Sequence, residues 1–217
     1  MNIAVLGTGM VGETIASRLI ELGHQVQMGS RSAANEKAQV WVAKAGAGAS
    51  AGSFADAISF GEVIFVATKG TSGLEVLGAA GPAAVAGKTV IDVSNPLDFS
   101  NGAVPILSVS NTDSLGEQLQ QRYPEARVVK SLNTMWCGLM VNPAMLADGD
   151  HDVFVSGNDP AAKEQTKTLL REFGWQDAHI IDLGDIGTAR GTEMLLPLWL
   201  RVWQATGVGA FNFKIVR

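Results

Sequence analysis

The distribution of apolar residues predicts an alternation of buried strands and amphipathic helices. Residues 3–6 form a short apolar run that ends at Gly7, which is typical of a strand buried on both faces of a parallel sheet. Apolar residues then recur at four-residue spacing, which predicts a helix over 10–22. The alternation continues with strands predicted at 25–28, 46–52, 62–68, 89–93, 126–129, 153–156 and 179–181, and helices at 33–45, 54–60, 72–86 with a break at Gly81-Pro82, 113–122, 160–173 and 188–206.

This alternation sets the expected fold class. The connections between strands are too long for hairpins, so the strands should pair in parallel through right-handed crossovers. We therefore expect an α/β fold with a Rossmann-type, doubly wound parallel sheet and a small C-terminal α/β extension over about residues 130–217. Since the chain lacks a convincing linker, residues 1–217 should form a single domain.

A glycine-rich motif follows the first predicted strand. Residues 7–12 match the pattern G-x-G-x-x-G and open the first helix, which is the context that dinucleotide binding requires. Gly7 would permit the tight turn, Gly9 would let a pyrophosphate approach the backbone, and Gly12 would let the helix pack against the strand. The motif predicts a dinucleotide site made by Gly7, Thr8, Gly9, Met10, Val11 and Gly12.

The end of the second predicted strand indicates which dinucleotide is bound. An NAD site would place a carboxylate there, but this chain has Gly29-Ser30-Arg31. A guanidinium recognises a phosphate well and a hydroxyl adds a donor, so Ser30 and Arg31 predict a 2′-phosphate site and therefore NADP(H). Lys37 is a further candidate ligand, although Lys37 and Glu36 could equally form a solvated helix face.

Two further strand ends should border the nicotinamide half of the cofactor, because ligands of open α/β sheets lie across the carboxyl ends of the strands. The first contributes Ala67, Thr68 and Lys69, and the second contributes Ser94 and Asn95. Since Asn95 precedes Pro96, its presence could equally reflect turn chemistry.

A polar cluster over 130–134 follows another strand. The Asn133 amide could orient the nicotinamide carboxamide and Lys130 could meet an anionic acceptor, whereas Asn133 or Thr134 could instead cap a helix. Cys137 is expected to be a small buried residue. No catalytic side chain is predicted, because in hydride transfer the cofactor carries the chemistry and the protein positions it.

The histidines and an apolar C-terminal segment are two further candidates for a functional role. The three histidines each lack a second histidine at metal spacing, so we expect structural roles for them and no metal site. The segment 193–203 is apolar nearly all round its helical wheel, so it should be buried. It could form a subunit interface, the wall of an acceptor pocket, or ordinary core.

Composition narrows the function classes. With 16 Lys plus Arg and 21 Asp plus Glu, the net charge is −5, which argues against nucleic-acid binding. Helix-terminal amides and a few local cations can still bind an anionic dinucleotide. Hydrophobic residues make up 47% and charged residues 17%, which excludes a disordered chain. A single cysteine, no signal-peptide pattern and no apolar run long enough to cross a membrane favour a cytoplasmic protein.

These motifs together resemble the coenzyme F420-dependent NADP oxidoreductase family. The likeness rests on residues 7–12, 29–31, 130–134 with Asn142-Pro143, and the ending 211–214. It implies a compact Rossmann domain, commonly a homodimer, that moves hydride between NADPH and a deazaflavin held over the nicotinamide. It also implies 2′-phosphate contacts at Ser30 and Arg31, and a pocket lined by residues 133–137.

The resemblance leaves the acceptor open. Archaeal members that act on F420 tend to have His where this chain has Asn133. The Asn-Thr version is also similar to the cytoplasmic domain of six-transmembrane metalloreductases, which pass electrons from NADPH to a flavin. We therefore expect a small-molecule acceptor, F420 or FMN/FAD, and a homodimer formed through the C-terminal apolar helix. The alternatives are an NADP-sensing protein without catalysis and a β-hydroxyacid or imine dehydrogenase.

Overall fold

A computed structural model describes residues 1–100 and 105–217. Its strands are β1 (Asn2–Leu6), β2 (Gln25–Ser30), β3 (Ala49–Ser53), β4 (Val63–Val66), β5 (Thr89–Asp92), β6 (Leu97–Asp98), β7 (Ile106–Leu107), β8 (Arg127–Ser131), β9 (Val153–Gly157) and β10 (Ile180–Gly184). Eight of them form the central sheet, in the order β10-β9-β8-β5-β4-β1-β2-β3. A separate antiparallel hairpin is formed by β6 and β7.

Helices cover both faces of this sheet. The α-helices are α1 (Met10–Glu21), α2 (Glu36–Ala45), α3 (Phe54–Phe60), α4 (Ser72–Val76), α5 (Leu115–Arg122), α6 (Cys137–Val141), α7 (Pro160–Phe173) and α8 (Ala189–Thr206). Two apolar layers result, one for each face of the sheet. The layer that contains α1 and α7 is centred on Ile15, Phe65 and Phe173, and the other contains Leu6, Ile64 and Leu119.

The sheet topology confirms the doubly wound α/β fold. Within the eight-stranded sheet, all neighbouring strands pair in parallel except β8 and β9, which are antiparallel. Chain order reverses between β1, which leads to β2, and β4, which leads to β5. The carboxyl ends of β1 and β4 therefore form the topological switch point, where ligands of this fold class bind.

The predicted helix over 72–86 is wrong beyond Val76, where α4 ends. The Tyr123 hydroxyl donates to the carbonyl of Leu74, which a continuing helix would use to accept from Gly78. Gly78 bonds back to Glu75 instead, and Gly81 then adopts a φ of +83° before the short 3-10 turn of 82–85. The Leu74 carbonyl is thus bonded to Tyr123 instead of to Gly78, and turns replace the second half of the predicted helix.

The last helix buries only part of the apolar surface that the sequence analysis expected to be covered. Thr192, Glu193, Leu196 and Trp199 lie inward, whereas Met194, Leu198 and Trp203 are 39%, 52% and 47% exposed in the single chain. The chain beyond α8 folds back across the helix. There the Phe211 ring stacks on Trp199 at 5.2 Å between centroids, and the amide of Asp152 donates to the Phe213 carbonyl at 3.0 Å.

Candidate functional site

A cleft of about 770 Å³ lies at the carboxyl ends of β1, β2 and β4. Its size falls within the range of small-molecule sites. Ten of the residues predicted to bind the cofactor line this cleft together: Gly7, Thr8, Gly9, Met10, Val11, Ser30, Arg31, Ala67, Thr68 and Lys69. The topology therefore brings the glycine motif, the Ser-Arg pair and the end of β4 to one place.

The three motif glycines occupy three different environments. Gly7 has a φ of +127°, and an added Cβ would lie 2.5 Å from the Ala67 carbonyl oxygen. A Cβ at Gly12 would lie 2.1 Å from the Gly7 carbonyl oxygen, so this residue must be small for α1 to reach the β1 turn. A Cβ at Gly9 would meet nothing within 4 Å. Only Gly9 faces open space, and that space belongs to the cleft.

The start of α1 supplies free donors to the cleft. Gly9 is the N-cap residue and no side chain caps the helix. The amides of the first turn have no carbonyl partner within the helix, so they carry the partial positive charge of its N-terminus. Such a terminus binds anions, phosphates above all. With Gly9 leaving room in front of these amides, the local structure fits a pyrophosphate.

The loop after β2 holds Arg31 at the cleft. Ser30 is buried and its hydroxyl donates to the Ser32 carbonyl at 2.6 Å, while Ser32 Oγ accepts from the Ala34 amide at 3.2 Å. Asn35 then caps α2 by accepting from the amide of Ala38 at 3.1 Å. These short-range bonds preorganise the loop, and the exposed guanidinium of Arg31 remains available to a ligand.

Lys37 is placed differently from Arg31. It lies in the first turn of α2, exposed, and does not line the cleft. Its role as a 2′-phosphate ligand stays a prediction.

A hydroxyl without a hydrogen-bond partner lies in the part of the cleft wall that follows β4. Thr68 Oγ1 is buried and has no hydrogen-bond partner in the described structure. Buried hydroxyls are normally paired, so this one fits a bound ligand with a donor or acceptor in the cleft. The neighbouring Lys69 places its ammonium 5.4 Å from the centroid of the Phe99 ring.

Sequence reasoning missed part of the cleft wall. All of the missed residues lie in segments predicted to be helical, and none belongs to a binding motif. Asn35 reaches the cleft as the N-cap of α2, and the others reach it because α3 and α4 pack beside β2 and β4. The residues are Asn35, Phe54, Ser72, Glu75, Val76 and Ala79.

Asn95 and Asn133 form a reciprocal pair beside the cleft instead of lining it. Asn95 Nδ2 donates to the Asn133 carbonyl at 2.8 Å, and Asn133 Nδ2 donates to Asn95 Oδ1 at 2.9 Å. Ser94 is buried, and its amide and hydroxyl both donate to Asp92 Oδ1. The pair joins the carboxyl ends of β5 and β8, the next strands along the sheet from β4.

The suggestion that Lys130 meets an anionic acceptor is wrong for this structure. Lys130 is 1% exposed, and its ammonium lies 2.7 Å from Asp92 Oδ2 and 2.8 Å from Glu193 Oε1. Burial acts against the charged form, but the two carboxylates outweigh it and raise the pKa of Lys130. The lysine is therefore a charged internal group with no direct access to a ligand.

Cys137 is buried, and its sulfur accepts from Thr14 Oγ1 at 3.6 Å. The histidines contact protein groups: His24 pairs with Glu172, His151 bonds the Pro143 carbonyl, and His179 pairs with Asp152. Among the described residues, no group of three or more His, Cys, Asp or Glu side chains could hold a metal ion.

Comparison with known proteins places this site in a family. The family described as NADP oxidoreductase, coenzyme F420-dependent, matches residues 2–96, which carry the cleft. A solved protein of Arthrobacter sp. FB24, provisionally described as an F420-dependent NADP-reductase, is 51% identical over 99% of both chains with a TM-score of 0.93. The chain belongs to the F420-dependent NADP oxidoreductase family. This result confirms the resemblance found in the sequence.

The chain is also similar to two metalloreductases. Metalloreductase STEAP3 of Rattus norvegicus is 29% identical over 91% of this chain, and metalloreductase STEAP2 of Homo sapiens is 26% identical over 98%. The chain spans only 38% and 39% of their respective lengths. Within residues 1–100 and 105–217, none of the helices is long and apolar enough to cross a membrane.

A reductive aminase of Aspergillus terreus, solved in complex with NADPH4, shares the fold at 21% identity with a TM-score of 0.68. It matches 94% of this chain, which covers 62% of the aminase. This similarity extends to architecture alone.

Proposed function

We propose that this member of the F420-dependent NADP oxidoreductase family transfers hydride between NADP(H) and a deazaflavin (F420) or flavin acceptor. The observation that carries the proposal is the combination of features in one cleft. The cleft is lined by an uncapped helix N-terminus, by the exposed Arg31 and by the unsatisfied Thr68 hydroxyl, and it has open space at Gly9.

In this proposal each half of the cofactor has its own part of the cleft. The pyrophosphate would lie over the amides at the start of α1, beside Gly9. The 2′-phosphate, which carries a charge of about −1.5 to −2 at pH 7, would pair with Arg31. The adenine would lie against the apolar wall that includes Val76 and Ala79. The nicotinamide would extend past Thr68 toward the Asn95–Asn133 pair.

The protein's part in the reaction is positioning. Bound NADPH would supply a hydride from its nicotinamide ring, and the acceptor would gain that hydride together with a proton from solvent. The protein's amides and cations would hold the dinucleotide, so that the ring meets the acceptor at short range. Fixing two reactants in this way converts a bimolecular step into an effectively unimolecular one.

A reduction assay tests which acceptor the protein uses. The purified protein is mixed with NADPH and, in turn, with F420, FMN and FAD, while the nicotinamide absorbance is followed. We expect NADPH oxidation with F420 or one of the flavins. If NADPH binds and none of these acceptors is reduced, the reductase proposal fails and an NADP-sensing role is favoured. Absence of NADPH binding would contradict both.

The exposed face of α8 supports a further part of the proposal, a homodimer. Met194 and Leu198, four residues apart on the outward face, leave an apolar surface on this helix, which a second copy could cover. Sedimentation equilibrium should give twice the mass of one chain, and Leu198→Glu should shift the protein to monomer. Val40→Glu, at an exposed apolar position on α2, is the matched control and should leave the mass unchanged. A monomeric wild type would contradict the dimer.

A further inference from the structure

A buried cluster of three charges lies behind the Asn95–Asn133 pair. We call Asp92, Lys130 and Glu193 the buried triad. The Lys130 ammonium bridges Asp92 at 2.7 Å and Glu193 at 2.8 Å, and the exposed fraction of each of the three side chains is 2% or less. The triad thus joins β5, β8 and α8 at one point in the interior.

Each carboxylate of the triad has further partners. Asp92 Oδ1 accepts from both the amide and the hydroxyl of Ser94. Glu193 accepts from the amides of Leu115 and Gly116 at 2.8 and 3.1 Å, at the start of α5. All three charges are therefore paired and hydrogen-bonded, the condition under which a protein tolerates buried ions.

The triad acts on the segment that carries Asn95. Lys130 Nζ also donates to the Ser94 carbonyl at 2.5 Å, so Ser94 is bonded at its amide, hydroxyl and carbonyl by triad members. Asn95 follows immediately and exchanges hydrogen bonds with Asn133. The triad consequently determines where the asparagine pair stands relative to the cleft.

The chain beside Asn133 is held in an unfavourable conformation. Leu132 is buried and has a φ of +63°, in the left-handed region that residues other than glycine rarely adopt. Such a residue persists only where its surroundings determine its geometry. Here Lys130 is held by the two carboxylates of the triad, the Ser131 hydroxyl donates to the Phe154 carbonyl at 2.8 Å, and Asn133 is bonded to Asn95.

We infer that Lys130 is a positioning residue for hydride transfer, because the buried triad sets the geometry of the Asn95–Asn133 pair against the nicotinamide half of NADP(H). The inference rests on the proposed function. Stability alone does not account for the triad, since buried ion clusters add little over apolar residues of similar volume. Their advantage is fixed geometry, and this cluster binds Ser94, the residue next to Asn95 in the pair that would face the nicotinamide.

The test uses a variant that removes all three charges together, Asp92→Asn with Lys130→Met and Glu193→Gln, so that no unpaired charge is left buried. Two ligands are compared, NADP⁺ and 2′-phosphoadenosine diphosphoribose, which lacks the nicotinamide. We expect the affinity for the second ligand to stay within about twofold, the preference for NADP⁺ over it to fall several-fold, and kcat to drop about 10–100-fold, as small misplacements do. Equal affinities and kcat in wild type and variant would overturn the inference, as would equal losses of affinity for both ligands.

A milder variant keeps the test decisive if the triple variant does not fold. Glu193→Gln leaves Lys130 and Asp92 as an ion pair with no net charge. It should lower the preference for NADP⁺ and kcat as the triple variant does, by a smaller factor. Glu164→Gln, at an exposed glutamate paired with Arg171 on α7, is its matched control and should change neither. If the wild type reduces no acceptor, the proposed function has failed, and the ligand preference alone then decides whether the triad positions the nicotinamide.

Discussion

Arg31→Glu should weaken NADPH binding by about 100-fold or more, because a charge-assisted contact worth about 1.5–3 kcal/mol is lost and replaced by repulsion. NADH, which lacks the 2′-phosphate, should lose less than about threefold. The guanidinium is exposed at the cleft and its loop is held by its own hydrogen bonds, so the substitution changes charge without disturbing the fold. Titration of cofactor fluorescence or calorimetry at fixed ionic strength measures both affinities.

The matched control for this prediction is Arg122→Glu. Arg122 ends α5 and is exposed, and it does not line the cleft, so the same change in net charge occurs elsewhere on the surface. It should leave both affinities within about twofold, since Arg122 does not line the cleft and salt screens exposed charges. Equal losses for NADPH and NADH in Arg31→Glu would contradict the 2′-phosphate site.

Gly12→Ala and Gly9→Ala should both weaken NADPH binding, but only Gly12→Ala should lower stability strongly. The Gly12 Cβ would lie 2.1 Å from a backbone oxygen, which no side-chain rotation relieves, so the free energy of unfolding should fall by about 3 kcal/mol. For a chain of this size that corresponds to a Tm lowered by about 6–12 °C. The NADPH affinity of the protein that remains folded should fall as well, since Gly12 places α1 against the β1 turn.

Gly9→Ala should leave stability within about 1 kcal/mol of wild type, because the φ of −83° suits alanine and its Cβ enters open space. That space is where the pyrophosphate would lie, so we expect NADPH affinity to fall about tenfold or more, the cost of overpacking by one methyl group. Thermal unfolding and cofactor titration of both variants give the measurement. Unchanged NADPH binding in Gly9→Ala would contradict the proposed position of the pyrophosphate.

Most of the sheet could be predicted from the sequence, because its signals are local. Continuous apolar runs such as 63–66 indicate strands buried on both faces, and apolar spacing over 10–22 indicates the helix that follows the glycine motif. The two-residue strands of the hairpin and the five-residue helix α6 were not predicted, since elements this short contain too few residues for a pattern to repeat.

The helix that failed beyond Val76 shows the limit of such signals. Its pattern of small and apolar residues is compatible with a helix, yet the Leu74 carbonyl is bonded to the Tyr123 hydroxyl and not to the Gly78 amide. Tyr123 lies 49 residues from Leu74, so no local window contains both groups.

By itself, the sequence determined the Rossmann-type fold, the place of the glycine motif at the first strand end, and the Ser30-Arg31 pair that favours NADP(H). These follow from periodicity and turn chemistry within a few residues. Only the tertiary structure decided that the polar residues at the β5 and β8 ends have different roles, with Lys130 sealed between Asp92 and Glu193 and the two asparagines bonded to each other. The physical reason is that a charge takes its role from its partners, and Asp92 lies 38 residues from Lys130 along the chain and 2.7 Å away in the fold.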